Sequence, residues 1–458
     1  MIITSEISLT LDDISNSANS VKNYKENKRI KRLITNSKEA QPEDLFIALE
    51  GEYESGENYT DEARSRGAFV LSSRDVNADI IVNDTKNAIL AITSFYKSLL
   101  KKLKYTVAVT GSVGKTTTKN IIAAMFRGKF TVHKTYENYN NYLGVFHTVL
   151  SAPANTEILV CEVGMNHLGE ISEISRSISP DIAVITNIGT THIGNLGTRE
   201  MIAKAKLEIL EGMKEHNLYC DADEELITAK VNARGISYNN PDAYVNISIR
   251  SIGADGIIFD LCGHNFLFEN NRIPIPAKHI LSSVAFAVCI MKHIGTTDCE
   301  IKNAILHICD DYIDPKFKKL EGYIVYDDTY SSSPEAVRAD FEMLSFFPVK
   351  CCLLGDMLEL GDKTEFLHTE IGRLAYEYGF SALYAYGVYA PFIARGAKLA
   401  GMDEKNIFIN TNPLDPKTSA KQILNSTKGD ELILLKASHR LYAGEVLTHL
   451  KSLLKEKE

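Results

Sequence analysis

The sequence predicts an α/β protein of three units: a small N-terminal α/β unit over residues 1–104, a central unit with a parallel sheet over 105–315, and a third α/β unit over 316–458. Three observations predict it. The chain has 458 residues, enough for about three domains of ordinary size. Short apolar runs bounded by Gly, Pro and Asn alternate with helical periodicity, and the alternation restarts after the polar Lys101-Lys-Leu-Lys104. Residues 106–119, Thr-Val-Ala-Val-Thr-Gly-Ser-Val-Gly-Lys-Thr-Thr-Thr-Lys, read as strand, glycine loop and helix.

In the first unit, Asp44–Leu49 reads as a buried strand, Asn58–Ser65 as a short helix and Gly67–Leu71 as a second strand. Ile80–Asn83 is a third strand. Thr85–Lys101 is a helix with Leu90, Ile92, Phe95, Leu99 and Leu100 at its apolar positions.

The central unit opens on the glycine loop. Gly111 and Gly114 let the backbone close around phosphate oxygens, and the following helix points its first N–H groups at the anion. Lys115 can reach the outer phosphates, and a hydroxyl of Thr116 or Thr117 can ligate Mg²⁺. The full Walker pattern wants a glycine where Val109 stands, and the short form also describes an ordinary turn before a helix. The strand before the loop and the run Thr116-Thr-Thr118 favour the nucleotide reading.

Residues 135–144 hold three asparagines and a glycine and read as a loop. Ile158–Glu162 is a buried strand ending in a carboxylate. Downstream of a phosphate loop, that is where a Mg²⁺-linked acid sits; taken alone, Glu162 is a solvated strand end. Ala183–Asn187 is the next strand, and Gly189-Thr-Thr-His192 follows it. His192 reads as a surface histidine or a metal ligand, and Lys204, Lys206 and Glu208 as a solvated helix face. Residues 215–275 are β-rich, and Ala277–His293 is a helix. Repeated strand, loop and helix put ligands at the C-terminal edge of a parallel sheet.

The third unit is Rossmann-like. Tyr323–Asp328 is a strand ending in paired acids, and Ser331-Ser-Ser-Pro334 starts a helix, so capping accounts for those serines. Cys351–Gly355, Leu383–Tyr386 and Glu431–Leu435 continue the alternation.

Composition narrows the function. Net charge is −9 with no long basic run, which argues against a nucleic-acid surface. Eight cysteines show no ligand spacing and read as reduced thiols. The N-terminus has no signal-peptide pattern, and no apolar run approaches a membrane span. The expectation is a cytoplasmic protein.

Seven segments stand in a fixed order: Thr110–Thr117; Thr135-x-x-Asn138-x-Asn140-Asn141-x-x-Gly144; Glu162-x-Gly164-x-Asn166-x-x-Gly169-Glu170-Ile171; Pro180-Asp181 through Thr186-Asn187-Ile188 to His192; Ala205-Lys206-x-Glu208-Ile209; Asp327-Asp328-Thr329-Tyr330; and Gly355-Asp356-Met357-x-Glu359-Leu360-Gly361. Co-linear over essentially the whole chain, they resemble the Mur ligase family, most closely its branch that adds D-alanyl-D-alanine to a UDP-N-acetylmuramoyl-tripeptide.

The resemblance implies an ATP-dependent amide ligase of peptidoglycan precursor synthesis, acting through an acyl phosphate. The first unit would bind the nucleotide-sugar donor, the second ATP and the third the amine. Lys115 would hold the β- and γ-phosphates, Thr116 one Mg²⁺, and Glu162 and His192 a second. Lys206 would carry a carbamate. Gly111, Ser112, Gly114, Thr117, Asn141, His279, Ser283, Lys319 and Asp328 would line the nucleotide, Asp328 at its ribose. Ser37, Lys38, Asn140, Tyr330, Ser331 and Ser333 would meet the two substrates. The implied partners are small molecules, and the implied protein is a monomer.

The sequence departs from the family at both substrate ends. Asn36-Ser37-Lys38 replaces Asp-Ser-Arg, Ser55-Gly56-Glu57 replaces Asp-Gly-His, and Tyr330-Ser-Ser-Ser-Pro334 replaces Tyr-Asn-Ala-Asn-Pro. Around His279 the family's Gly and Asn are Ala277, Ile280 and Ser283; its interdomain Arg is Lys319, and its Lys-Gly-Ser is Lys436-Ala437-Ser438. Three readings follow: a divergent cell-wall ligase, a paralogue joining another carboxylate and amine, or a non-catalytic ATP-binding protein. Retention of His192 and Lys206 beside the phosphate loop favours catalysis, since a switch protein needs neither.

Overall fold

Each unit is built on its own sheet, and the middle sheet places the site. The computed structural model describes every residue but 52–53, 312–315, 430 and 456–458, with backbone alone at 309–311. The expected boundary at 315 and the Cys309 thiol fall outside the described residues.

The central sheet has nine strands, in the order Val132–Lys134, Ile158–Glu162, Tyr105–Thr110, Ile182–Ile185, Leu218–Asp221, Arg234–Tyr238, Val245–Gly253, Gly256–Gly263 and Phe266–Ile273. The first seven run parallel. The last two are antiparallel, so the sheet is mixed rather than purely parallel. The sequence explains the difference. Val107–Val109 and Ile182–Ile185 are buried on both faces, as continuous apolar runs under helices must be. Phe266–Ile273 alternates instead, with Leu267 exposed and Phe268 buried, the pattern of a sheet with one wet face.

From Thr110 the chain passes through the helix Lys115–Phe126 to the edge strand Val132–Lys134. It returns by the helix Tyr142–Leu150 to Ile158–Glu162, then crosses by Glu170–Ile178 to Ile182–Ile185, on the other side of the phosphate-loop strand. That reversal opens a crevice at the carboxyl ends of the strands. Thr110, Glu162 and Ile185 end there: Glu162 is in register with Val109, and Ile185 with Thr110.

Residues 135–144, expected as loop, end in the first turn of the helix Tyr142–Leu150. Asn141 caps it, accepting from the Gly144 N–H at 2.9 Å. Gly144 has no alternative, since a Cβ there would lie 2.2 Å from the Tyr139 carbonyl carbon.

The first sheet holds six short strands, parallel at its centre and antiparallel at both edges. Its last helix, Thr85–Leu99, packs on the helices Tyr142–Leu150 and Glu170–Ile178 of the central unit. Ile89, Ile92 and Tyr96 join one apolar cluster with Val149, Ile174 and Ile178.

The third sheet also has six strands: Phe317–Leu320, Tyr323–Asp328, Leu432–Lys436, Lys350–Gly355, Ala382–Tyr386 and Ile407–Asn410. All pairings but the first are parallel. Of the seven cysteines described, all are free thiols; Cys262 and Cys299 are exposed and the other five buried.

Candidate active site

The phosphate loop is held open by its own backbone and by the neighbouring strand end. Gly111 has φ +146° and Gly114 φ +81°; at Gly111 a Cβ would fall 1.9 Å from Thr186 Oγ1. Thr186 Oγ1 donates to the Val113 carbonyl at 2.6 Å. Asn187 brackets Val113, accepting from its N–H at 3.0 Å and donating to its carbonyl at 2.9 Å. Ser112 is buried, and its Oγ accepts from the Gly189 N–H at 2.9 Å. Thus Thr186, Asn187 and Gly189 are a scaffold for the loop.

Lys115 folds back on that loop, donating to the Gly111 and Ser112 carbonyls at 2.8 and 3.0 Å. Burial pushes its ammonium pKa down, against the pull of Glu162. A lysine so held can turn outward to a phosphate that supplies better acceptors. Thr117, half-buried on the same first turn, makes no side-chain hydrogen bond among the described residues.

Glu162 is 1% exposed and densely wired. Thr116 Oγ1 donates to Oε2 at 2.9 Å, and Asn140 Nδ2 to Oε1 at 2.9 Å. Lys119 Nζ lies 3.1 Å from Oε2 and also donates to the Glu137 carbonyl. The Glu162 N–H donates to Thr135 Oγ1 at 2.9 Å. Sequence reasoning missed Lys119 in any role. One signal was there: it stands four residues after Lys115, one helical turn along the face that carries the phosphate lysine.

His192 and Lys206 close the crevice from the next strand. His192 caps the short helix Ile193–Leu196 from the left-handed region, φ +65°. Its Nδ1 lies 2.7 Å from Glu359 Oε2 of the third unit, while burial holds the imidazole pKa below its usual value against that carboxylate. Lys206 is 2% exposed, on the inner face of the helix Arg199–Leu207, and not on a solvated one. Burial drives its pKa well below that of a free lysine, and the charge of Lys115 adds to the effect. Glu208, by contrast, caps the helix Glu170–Ile178, accepting from the Gly169 N–H at 2.8 Å.

The third unit supplies a second cluster. Lys316 Nζ lies 3.1 Å from Asp328 Oδ1, and Lys436 pairs with Asp328 Oδ2 and, at 3.0 Å, with Asp340. The two lysines hold the Asp328 carboxyl well below the usual range against the cost of its burial. His279 feels these charges, and burial first, then Lys316, lowers it to about 4. Tyr330 is 50% exposed, its ring centroid 5.5 Å from that of His439, and its hydroxyl is pushed up by burial and by Glu162.

The remaining sites are placed otherwise. Ser283 donates to or accepts from Thr118 Oγ1 at 2.8 Å, between two packed helices. Ser333 caps the helix Pro334–Leu344, accepting from the Ala336 N–H at 3.3 Å, and Ser331 is exposed. Lys319 is exposed on the edge strand Phe317–Leu320. Ser37 is buried and donates to Glu62 at 2.6 Å, with Lys38 exposed beside it. Glu57 accepts from Ser73 at 2.8 Å and pairs with Arg74 at 3.1 Å.

Residues 109–291 match the family model of the Mur ligase middle domain. Among solved structures, the fold is shared with MurF from Acinetobacter baumannii, at a TM-score of 0.85 and 24% identity over 97% of this chain and 99% of that one. A MurF ligase from Thermotoga maritima in complex with ADP superposes with a TM-score of 0.81, at 26% identity over 93% of this chain and 98% of that one. The UDP-N-acetylmuramoyl-tripeptide--D-alanyl-D-alanine ligase of Bacillus subtilis (strain 168) is 34% identical over 431 residues, covering 91% of this chain and 92% of its own. A phosphate loop braced by Thr186 and Asn187, with Glu162, His192 and Lys206 converging on it, therefore sits in a chain that belongs to the Mur ligase family, in its UDP-N-acetylmuramoyl-tripeptide--D-alanyl-D-alanine ligase branch.

Proposed function

We propose that the protein uses ATP to join the terminal carboxylate of a UDP-N-acetylmuramoyl-tripeptide to the amino group of D-alanyl-D-alanine. What carries the reading is the convergence of Glu162, His192 and Lys206 on the phosphate loop, in a chain whose curated relatives bear that activity as their name.

In the first step a donor carboxylate oxygen bonds to the γ-phosphorus and the bond to the β-phosphate oxygen breaks, leaving ADP and an acyl phosphate. In the second, the amine nitrogen bonds to the acyl carbon, phosphate departs with the C–O electron pair, and the nitrogen loses a proton. Both steps need alignment and charge neutralisation more than covalent help. The phosphate-loop N–H groups and Lys115 serve the transferred phosphate.

The donors present fit Mg²⁺. No group of three or more His, Cys, Asp or Glu that could hold a metal occurs among the described residues. Mg²⁺ asks for less: one or two protein ligands, with phosphate oxygens and water completing its shell. Thr116, Glu162 and His192 would supply those ligands, and the ion would neutralise charge on the β- and γ-phosphates. Lys206 fits a carbamate, which forms only from the neutral amine that burial favours. Asp328 would meet the ribose.

We assign residues 1–104 to the donor, 105–315 to ATP and 316–458 to the amine. Glu57 puts a negative charge where an acidic nucleotide sugar would lie; its pairing with Arg74 at 3.1 Å balances that charge, so it does not stand against such a donor. No helix among the described residues is long and apolar enough to cross a membrane. We infer a cytoplasmic monomer, because the site draws on one chain and its ATP is a cytoplasmic substrate.

The test is direct. Incubation with ATP, Mg²⁺, D-alanyl-D-alanine and UDP-N-acetylmuramoyl-tripeptides gives a product of the summed mass less one water, with ADP formed only when both substrates are present. ADP release indifferent to both, or bound ATP with no product, sinks the reading.

A further inference from the structure

One contact ties the two walls of the crevice together through a ring nitrogen. His192 stands on the central unit, on the loop after the strand Ile182–Ile185; Glu359 stands on the third unit, on the loop after the strand Lys350–Gly355. Nδ1 of the histidine lies 2.7 Å from Oε2 of the glutamate. An imidazole that binds a metal through one ring nitrogen carries its single proton on the other, and the nitrogen that faces the Glu359 carboxylate is Nδ1; Nδ1 then donates and Nε2 keeps its lone pair.

The surrounding backbone is shaped for this contact. The Gly194 N–H donates to the Glu359 carbonyl at 3.0 Å, and a Cβ on Gly194 would lie 2.8 Å from that oxygen. His192 and Glu359 both adopt left-handed backbone, at φ +65° and +62°. Side chains rarely accept that strain, and it persists only where the surroundings over-determine it. A second clasp lies beside the first: Thr190 donates from both N–H and Oγ1 to Glu335 Oε1, each at 2.8 Å.

We infer that Glu359 is a positioning residue for the reaction: from the third unit it fixes the ring and tautomer of His192, so that the metal-binding donor set is complete only when the third unit is seated on the central one. The inference rests on the proposed role of His192 as a Mg²⁺ ligand. A carboxylate behind a ligating histidine orients the ring and raises its basicity. Here that carboxylate is delivered by the unit that would also bring the amine, so metal binding and amine delivery share one closure.

The experiment compares full-length wild type, Glu359→Ala and Glu359→Gln for Mn²⁺ affinity by electron paramagnetic resonance, with a non-hydrolysable ATP analogue bound. Glu359→Ala is expected to weaken Mn²⁺ by about 10- to 100-fold. Glu359→Gln keeps an acceptor for Nδ1–H and stays within a few-fold of wild type. In steady state, Glu359→Ala lowers kcat and leaves the KM for ATP unchanged. Wild-type Mn²⁺ affinity in Glu359→Ala overturns the inference, as does an equal loss in Glu359→Gln, because Gln preserves the hydrogen bond and the shape. Ligation by the wild type tests the proposed substrates separately. A protein that binds Mn²⁺ as expected but makes no product with D-alanyl-D-alanine refutes the substrate assignment, while the comparison of variants still decides the role of Glu359.

Discussion

Lys206 is the residue whose environment says most about its chemistry. It is 2% exposed, and the charge acting on it is another cation, Lys115. An ammonium in that place pays for desolvation and repulsion together. The neutral amine escapes both, and it is the form that reacts with carbon dioxide. A carbamate formed there would be an anion beside Lys115, where an anion is favoured. Lys206→Ala is accordingly expected to lower ligation by at least about 100-fold, the scale of a lost charge-stabilising group at a phosphoryl-transfer site. Acetate at high concentration is expected to restore part of the rate by occupying the vacated space; the rate measured against acetate concentration checks this, and a flat response counts against the carbamate. Part of this site was legible in the sequence: the loop from its own residues, and Glu162, His192 and Lys206 only from their places in the ordered motifs, since taken alone they read as a strand end, a surface histidine or metal ligand, and a solvated helix face. Lys119 was not. A lysine in a helix reads as solvated by default, and only the fold shows it 1% exposed against Glu162.

At the scale of elements, the third sheet ends in a buried charge cluster. The strand Tyr323–Asp328 delivers Asp328, the strand Leu432–Lys436 delivers Lys436 in register with it, and the helix Pro334–Leu344 delivers Asp340. The strand ends could be read from their apolar runs. Asp340 could not, because an acid in mid-helix reads as solvent-facing until the helix is rolled onto its sheet. The two carboxyls shift in opposite directions. Lysine pairing lowers Asp328, whereas burial raises Asp340 to about 6 despite Lys436. The signs then follow by linkage. Asp328 binds its proton less readily folded than unfolded, so its contribution is present above the unfolded carboxyl pKa and is lost on acidification. Asp340 binds its proton more readily when folded, so its contribution is greatest at low pH and is lost as pH rises toward 6. Asp340→Asn removes the second trend and leaves Lys436 to Asp328, whose carboxyl stays low. Between pH 4 and 7 the apparent Tm of Asp340→Asn should therefore rise more, or fall less, than that of wild type. Parallel melting curves across that range would show that Asp340 titrates alike in both states.

For the whole molecule, the open question is which parts can stand alone. Sequence alternation restarts at Tyr105, after a polar hinge, and that restart marks a boundary near 104. The helix before the hinge tells another story in three dimensions. Thr85–Leu99 lies on the helices Tyr142–Leu150 and Glu170–Ile178, with Tyr96 donating to the Ala152 carbonyl at 3.4 Å. Lys97 donates to the Ser179 carbonyl at 2.9 Å, and Lys86 pairs with Glu173 at 2.5 Å. Ile89, Ile92 and Tyr96 are fully buried between those helices and the first unit, whose Leu11, Leu45 and Leu71 share the same apolar cluster. Each buried aliphatic side chain is worth about 1.5–3 kcal/mol against exposure. Their loss would take several kcal/mol from a domain whose whole margin is about 5–15 kcal/mol. Periodicity could not reveal this, because an apolar stripe shows that a helix is buried without showing against what. A fragment of residues 85–458 should thus fold and retain ATP, while one of residues 105–458 should be insoluble or melt at a much lower temperature. Expression of both, with ATP binding by calorimetry and unfolding by circular dichroism, separates the cases. Equal stability of the two fragments would return the helix to the donor unit and leave its packing on the central unit a contact of no structural weight.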